Sequence, residues 1–131
     1  MMMTKLHIIR GNSRSYVPAS HEDPNNPGCL KKVLLTKDEL RSGQVQMINW
    51  SKLPSGKSFS RHYHEDMDEV FIILTGKVSV EVDGQKDTLS AGDTIVIPAK
   101  SIHSMTASFQ DDVEYLALGI SFGHQGKTVV V

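Results

Sequence analysis

His62 and His64 stand one residue apart, and Glu69 follows five residues after the second of them. A neutral imidazole offers a nitrogen lone pair, and a carboxylate offers an anionic oxygen. Two of the first and one of the second, brought to a point, can bind a divalent metal. Spacing decides whether they converge. Residues i and i+2 of a strand project from one face, so a strand from Ser58 to His64 sends both imidazoles the same way. Glu65-Asp66-Met67-Asp68 is polar and able to turn, and Glu69 then opens the apolar run Val70-Phe71-Ile72-Ile73-Leu74. A hairpin over this stretch predicts that Glu69 comes back beside the histidine pair.

The elements that must position these groups are strands. Val45 to Trp50 is a strand candidate, Leu53-Pro54-Ser55-Gly56 a turn, and Val78 to Val82 alternates apolar and polar residues strictly. Such alternation marks one buried and one wet face. Asp83-Gly84 is a strong hairpin signal, with Gln85 to Leu89 as the returning strand. Thr94 to Ile97 reads as a buried strand ending at Pro98, and His103 to Ala107 and Val113 to Ile120 complete the set. Many short strands at near-regular spacing indicate an all-β sandwich or barrel. The first residues predict a short strand at Leu6-His7-Ile8-Ile9, then an irregular loop from Ser13 to Gly28 broken by Pro18, Pro24 and Pro27. Leu30 to Leu35 reads as a further strand. Thr36-Lys37-Asp38-Glu39 resembles a capping box and allows one helical turn, but no window sustains a helical period.

The chain has 131 residues and a formal net charge of -1. That length suits one domain with its own core. Charges of both signs are mixed, with no basic stripe, so nucleic acid is a poor partner. Cys29 is the single cysteine, so no intrachain disulfide can form, which fits a reducing compartment. The first ten residues include Lys5 and Arg10 and read neither as a signal peptide nor as a membrane span. A cytoplasmic protein with no membrane partner is the expectation.

With these residues in hand, the sequence resembles a known family. Gly56-x5-His62-x-His64-x4-Glu69-x6-Gly76 fits the first cupin motif at every fixed position. Gly92-x5-Pro98-x-Lys100-x2-His103-x3-Ala107 keeps the Gly, Pro and His of the second, with Lys100 in place of its second glycine and Ala107 in place of its asparagine. The resemblance implies a small single-domain cupin: a jelly-roll β-barrel with a short irregular N-terminal segment. Residues 1–42 would form an arm that packs on the barrel or swaps with it, and residues 43–131 the barrel. It also implies a metal inside the barrel held by His62, His64, Glu69 and His103. Neither departure touches a ligand.

Three imidazoles and a carboxylate leave a six-coordinate ion two open positions, enough for a substrate beside dioxygen or for a bidentate substrate. Fe(II) and Mn(II) suit this donor set, and Zn, Ni, Co and Cu remain open. No cysteine or methionine is placed to make the site soft, Cys29 being far off in sequence. Phe71, Ile73 and Met105 share parity with the ligands and read equally well as pocket lining or as core. Tyr115 and Met47 are wall candidates. Arg61 faces outward, and Glu65, Asp66 and Asp68 read as a solvated turn. His21-Glu22-Asp23 has ligand-like residues but reads as a surface turn. Gly123-His124-Gln125-Gly126 reads as an ordinary turn, since a phosphate cradle needs a following helix or nest. The sequence carries no nucleophile elbow, P-loop or dinucleotide fingerprint.

The expected function is that of a metal-dependent enzyme acting on a small organic molecule. Dioxygenase chemistry leads, and isomerisation or decarboxylation follows closely. The alternative is a small-molecule-binding or sensor cupin without catalysis. The terminal Lys127-Thr128-Val129-Val130-Val131 run is an apolar strand in need of a partner, and pairing across a homodimer would supply one.

Overall fold

The structure is a computed structural model and describes residues 13–36, 44–121 and 127–131. The expected strand at Leu6–Ile9, the helical turn after Thr36 and the turn at Gly123–Gly126 lie outside those residues. Eleven strands and no α-helix are found among the described residues. They are β1 (Val17–Pro18), β2 (Leu30–Thr36), β3 (Val45–Leu53), β4 (His62–His64), β5 (Met67–Thr75), β6 (Lys77–Val82), β7 (Gln85–Ser90), β8 (Thr94–Ile97), β9 (His103–Ala107), β10 (Val113–Ser121) and β11 (Thr128–Val130).

They form two antiparallel sheets. One has the order β1-β2-β3-β10-β5-β8, the other β11-β4-β9-β6-β7. From β3 onward the chain changes sheet at each connection except the β6–β7 hairpin and so builds the jelly roll. That hairpin closes on Asp83 (φ 48°) and Gly84 (φ 83°), between the paired residues Val82 and Gln85. Two residues with positive φ are what a tight hairpin turn requires. Alternation along the strands sets what lies inside. In β5, Met67, Glu69, Phe71 and Ile73 are buried while the residues between them are half-buried. In β6, Val78 and Val80 are buried between exposed Lys77 and Ser79. Leu53, Phe71, Ile73, Val78, Val80, Met105 and Val113 form the centre of the apolar core.

Several expectations need correction. The histidine strand is shorter than Ser58 to His64: only His62–His64 is strand, and Ser58 makes an isolated bridge to Thr106. The polar turn is also shorter, because Met67 and Asp68 already belong to β5. β4 and β5 do not pair as a hairpin, since they lie in different sheets. Strand β8 is not fully buried: it is an edge, and Val96 is 59% exposed. The terminal strand β11 pairs with β4 of its own chain, Val129 opposite Tyr63. One side of β11 is therefore paired within its own chain.

Gly76 and Lys100 show what the motif positions do. Gly76 has φ +84°, and a Cβ there would come within 2.5 Å of the Asp112 carbonyl oxygen. Only glycine fits both demands. Lys100, in place of a motif glycine, still takes the left-handed conformation (φ 71°). Its N–H donates to the His64 carbonyl at 2.7 Å, which ties the turn before His103 to the end of β4.

Candidate metal centre

The sheet change between β4 and β5 places the four residues. His62 and His64, at i and i+2, are both buried on the inner face of β4. His103 of β9 is the cross-strand neighbour of His62. Three imidazoles therefore come from the five-stranded sheet, and Glu69 meets them from β5 of the six-stranded sheet. One ligand atom from each lies within 4.8 Å of all the others, and all four residues are buried.

Each ring is held from behind. His62 Nδ1 donates to the Ser60 carbonyl at 2.6 Å and His103 Nδ1 to the Ser101 carbonyl at 2.9 Å. His64 Nδ1 lies 3.0 Å from Thr128 Oγ1 on β11. A hydrogen fixed on Nδ1 leaves Nε2 to face the centre, which is how ligating histidines are oriented. His64 Nε2 lies 3.0 Å and His103 Nε2 3.2 Å from the same oxygen, Glu69 Oε1. Each contact needs either a hydrogen on Nε2 or an ion between the atoms. Two ligand atoms each about 2.1 Å from one ion, at a right angle, lie about 3 Å apart. The donor set fits a divalent metal.

The electrostatics agree. Burial alone would push the Glu69 carboxyl up, but hydrogen bonds from His103 and His64 overcome it and hold the group down at about 2. Burial, together with neighbouring His21 and His103, lowers His62 to about 3. Near neutrality His62 is an uncharged imidazole beside a charged carboxylate, ready to ligate.

A cavity of about 340 Å³ opens beside the cluster and is lined by His62, His64 and Glu69. The wall candidates Met47 and Tyr115 line it, and so does Phe71, which read equally well as lining or core. Ile73 and Met105 belong to the apolar core instead. Arg61 is exposed, and Glu65 with it. Asp66 and Asp68 are half-buried rather than solvated, and Asp68 accepts from the Ala99 N–H at 2.8 Å.

One reading of the loop before β2 was wrong. His21-Glu22 is no surface turn: the His21 ring stacks on His62 with centroids 4.1 Å apart, and it lines the cavity. Glu22 accepts from the Ser60 and Gly28 N–H groups at 2.8 and 2.9 Å and pairs with His21 at 2.9 Å. It ties the loop to the approach of the histidine strand. Cys29 is also near the site despite its distance in sequence. It is buried, lines the cavity and lies 3.2 Å from the Tyr115 hydroxyl. Burial raises its thiol to about 12, which keeps it a neutral thiol, and it stands outside the four-residue cluster. Lys31, Asn49 and Ser51 line the cavity too, and sequence reasoning missed them. Their only signal was parity, and it became usable once Ser51 and Asn49 were known to alternate inward along β3.

Comparison with known proteins places this architecture. A quercetin 2,3-dioxygenase of Bacillus subtilis is 35% identical over 80 residues, which are 54% of this chain and 23% of that protein. The chain thus spans about a quarter of that relative's length. An oxalate-binding protein of Thermotoga maritima is 29% identical over 85 residues, 65% of this chain and 69% of that one. The crystal structure of a predicted oxalate decarboxylase from Thermotoga maritima superposes with a TM-score of 0.77 at 24% identity, covering 88% of this chain and all of that one. No helix among the described residues is long and apolar enough to cross a membrane. The family model of the cupin domain matches residues 49–119, which include all four clustered residues and more than half of the chain, and the protein belongs to the cupin family.

Proposed function

We propose that this cupin is a metal-dependent enzyme acting on a small organic molecule, with His62, His64, Glu69 and His103 as the ligands of one divalent ion. Iron and manganese lead as the metal, ahead of zinc, nickel, cobalt and copper. Dioxygenase-type chemistry leads, with isomerase or decarboxylase chemistry close behind. One observation carries the reading: four buried ligand atoms within 4.8 Å of one another beside a cavity of about 340 Å³. A bound ion would supply Lewis acidity or redox capacity there. The chain's own part is to hold three imidazoles by their Nδ1 partners, to keep Glu69 ionised, and to surround the substrate with His21, Phe71 and Tyr115. The name of the quercetin 2,3-dioxygenase relative supports oxygenase chemistry. That of the oxalate-binding relative supports a second reading, a binding cupin without catalysis.

The test is metal content. Protein purified anaerobically without a histidine tag is expected to carry near one metal per chain by mass spectrometry, and Glu69→Ala and His62→Ala to carry none. Oxygen uptake with small acids, thiols and phenols then separates the readings. No metal in a folded wild-type protein would sink both the metal site and the enzyme. A homodimer is also proposed: among the described residues β11 pairs only with β4 and stands at the edge of its sheet, and Val130 and Val131 are 53% and 65% exposed. Light scattering that gives a monomer at micromolar concentration would refute it.

A further inference from the structure

The inner wall of the six-stranded sheet carries polar groups that a metal site does not require. Asn49 is 7% exposed, lines the cavity, and its Oδ1 is buried with no hydrogen-bond partner among the described residues. A buried carbonyl oxygen left without a donor is costly, and such groups are rare in folded chains unless a ligand or water completes them. Lys31 lies nearby. It is the cross-strand partner of Ser51, whose inward neighbour along β3 is Asn49. Lys31 and Asn49 are thus diagonal neighbours, roughly 7–8 Å apart in backbone terms. The lysine also lines the cavity, with Nζ donating to Ser20 Oγ at 2.7 Å at the exposed rim. An ammonium has three donors, so this bond does not exhaust it.

We propose that the substrate is a small carboxylic acid bearing a hydroxyl or amino group beside its carboxylate. The carboxylate meets Lys31 and Ser20 at the rim, and the hydroxyl or amino hydrogen is given to Asn49 Oδ1. The assignment rests on the proposed metal reading in one respect only: the opposite end of the molecule points to the His62, His64, Glu69 and His103 cluster. Charge supports it, because Lys31 puts a cation on the wall of the cavity away from Glu69, where an anionic group can pair with it. One ammonium with one hydroxyl suits a monoanionic carboxylate, whereas a phosphate dianion draws on several donors. Lys31 and Asn49 line the same cavity, and its volume of about 340 Å³ holds a small acid together with its side chain.

Calorimetric titration of the intact chain, with metal content measured on each sample, tests this. The probes are lactate and 3-phenyllactate, each beside its deoxy counterpart (propionate, 3-phenylpropionate) and its methyl ester, together with glycerol 3-phosphate. The hydroxy acids are expected to bind roughly tenfold tighter than their deoxy counterparts and tighter than the esters. Lys31→Met is expected to weaken the acids roughly tenfold and leave the esters unchanged, with Lys31→Arg restoring part of the loss. Asn49→Leu is expected to abolish the preference for hydroxy over deoxy acid, and Asn49→Ser to restore part of it. Equal binding of hydroxy and deoxy acids by the wild type overturns the proposal, whatever the variants do. So does tighter binding of glycerol 3-phosphate than of any acid, or unchanged acid affinity in folded Lys31→Met. A wild type without metal overturns the metal reading alone, and the same affinity ratios then decide the Lys31 and Asn49 assignment.

Discussion

The two ends of the barrel interior are built from the same strands and do different work. Along β5 the buried residues run Glu69, Phe71, Ile73, and along β3 they run Asn49, Ser51, Leu53. On β9 they run His103, Met105, Ala107. Register aligns these series. Leu53 lies opposite Val113, and Val78 opposite Ala107, so one end is wholly apolar. His62 lies opposite His103, with Glu69 facing both across the interior, so the other end is polar. The apolar end gains stability from burial. The polar end holds buried imidazoles and a carboxylate whose desolvation is offset only by hydrogen bonds or an ion. Substitutions at the two ends should therefore fail in different ways.

The largest effects test that separation directly. Replacing a proposed ligand, as in Glu69→Ala or His103→Ala, is expected to lower metal affinity by ~100-fold or more, beyond what outer positioning groups cost. The metal-free variants should still unfold cooperatively, because the apolar end is untouched. Ile73→Ala should do the reverse. Ile73 is 1% exposed, so its truncation is expected to cost about 2–5 kcal/mol in denaturant unfolding, with metal stoichiometry unchanged at low temperature. Loss of metal in Ile73→Ala, or collapse of folding in Glu69→Ala, would show that the two ends are not separable. Glu22→Ala is the intermediate case. It frees the His21 loop from Ser60 and Gly28 and is expected to weaken metal binding about tenfold, as read by chelator competition.

Acid sharpens the contrast. His62 is lowered from 6.5 to about 3 and Glu69 from 4.5 to about 2. In both windows the unfolded chain binds a proton that the folded chain refuses, so stability falls as pH falls. The loss begins near pH 6.5 with His62, is joined below 4.5 by Glu69, and runs its course near pH 2. The melting temperature of the metal-free protein is expected to fall steadily from pH 7 to pH 4, and His62→Gln to flatten that slope. Ile73→Ala should shift the whole curve down without changing its shape. A metal-free wild type with no slope over this range would contradict the buried, neutral state assigned to His62.

How much of this was legible in the sequence follows from what each signal encodes. Period-two alternation around Val78 and Val80, and the Asp83-Gly84 turn, are local, and both appear where they were read. The buried cluster of four was legible because His62 and His64 share parity within one strand, Glu69 follows at a fixed spacing, and the resemblance to the second cupin motif adds His103. Pairing was not legible. The hairpin expected around Glu65–Asp68 is a sheet change, because nothing in a polar turn says which sheet the next strand joins. The His21 loop was misread for a related reason. A proline-rich segment looks like surface until long-range hydrogen bonds, such as Ser60 N–H to Glu22, fold it over the barrel. Asn49 and Lys31 carried no signal of their own, since the inward face of a strand is defined only by its neighbours.

The smallest expected effect lies where the second motif departs from its pattern. Lys100 takes φ 71°, and its N–H bonds the His64 carbonyl at 2.7 Å. The left-handed conformation costs a residue with a Cβ about 1–2 kcal/mol. Glycine avoids that cost but loses more chain entropy on folding, about 0.5–1 kcal/mol. The difference predicts that Lys100→Gly stabilises the fold by up to ~1.5 kcal/mol, while Lys100→Val, with a branched Cβ in the same conformation, destabilises it. The turn joins the end of β4 to the start of β9, and so joins His64 to His103. Metal affinity should therefore stay constant in Lys100→Gly and drop in Lys100→Val. If both variants melt like the wild type, backbone strain at this position does not set the spacing of the two histidine strands, and their hydrogen-bonded pairing alone does.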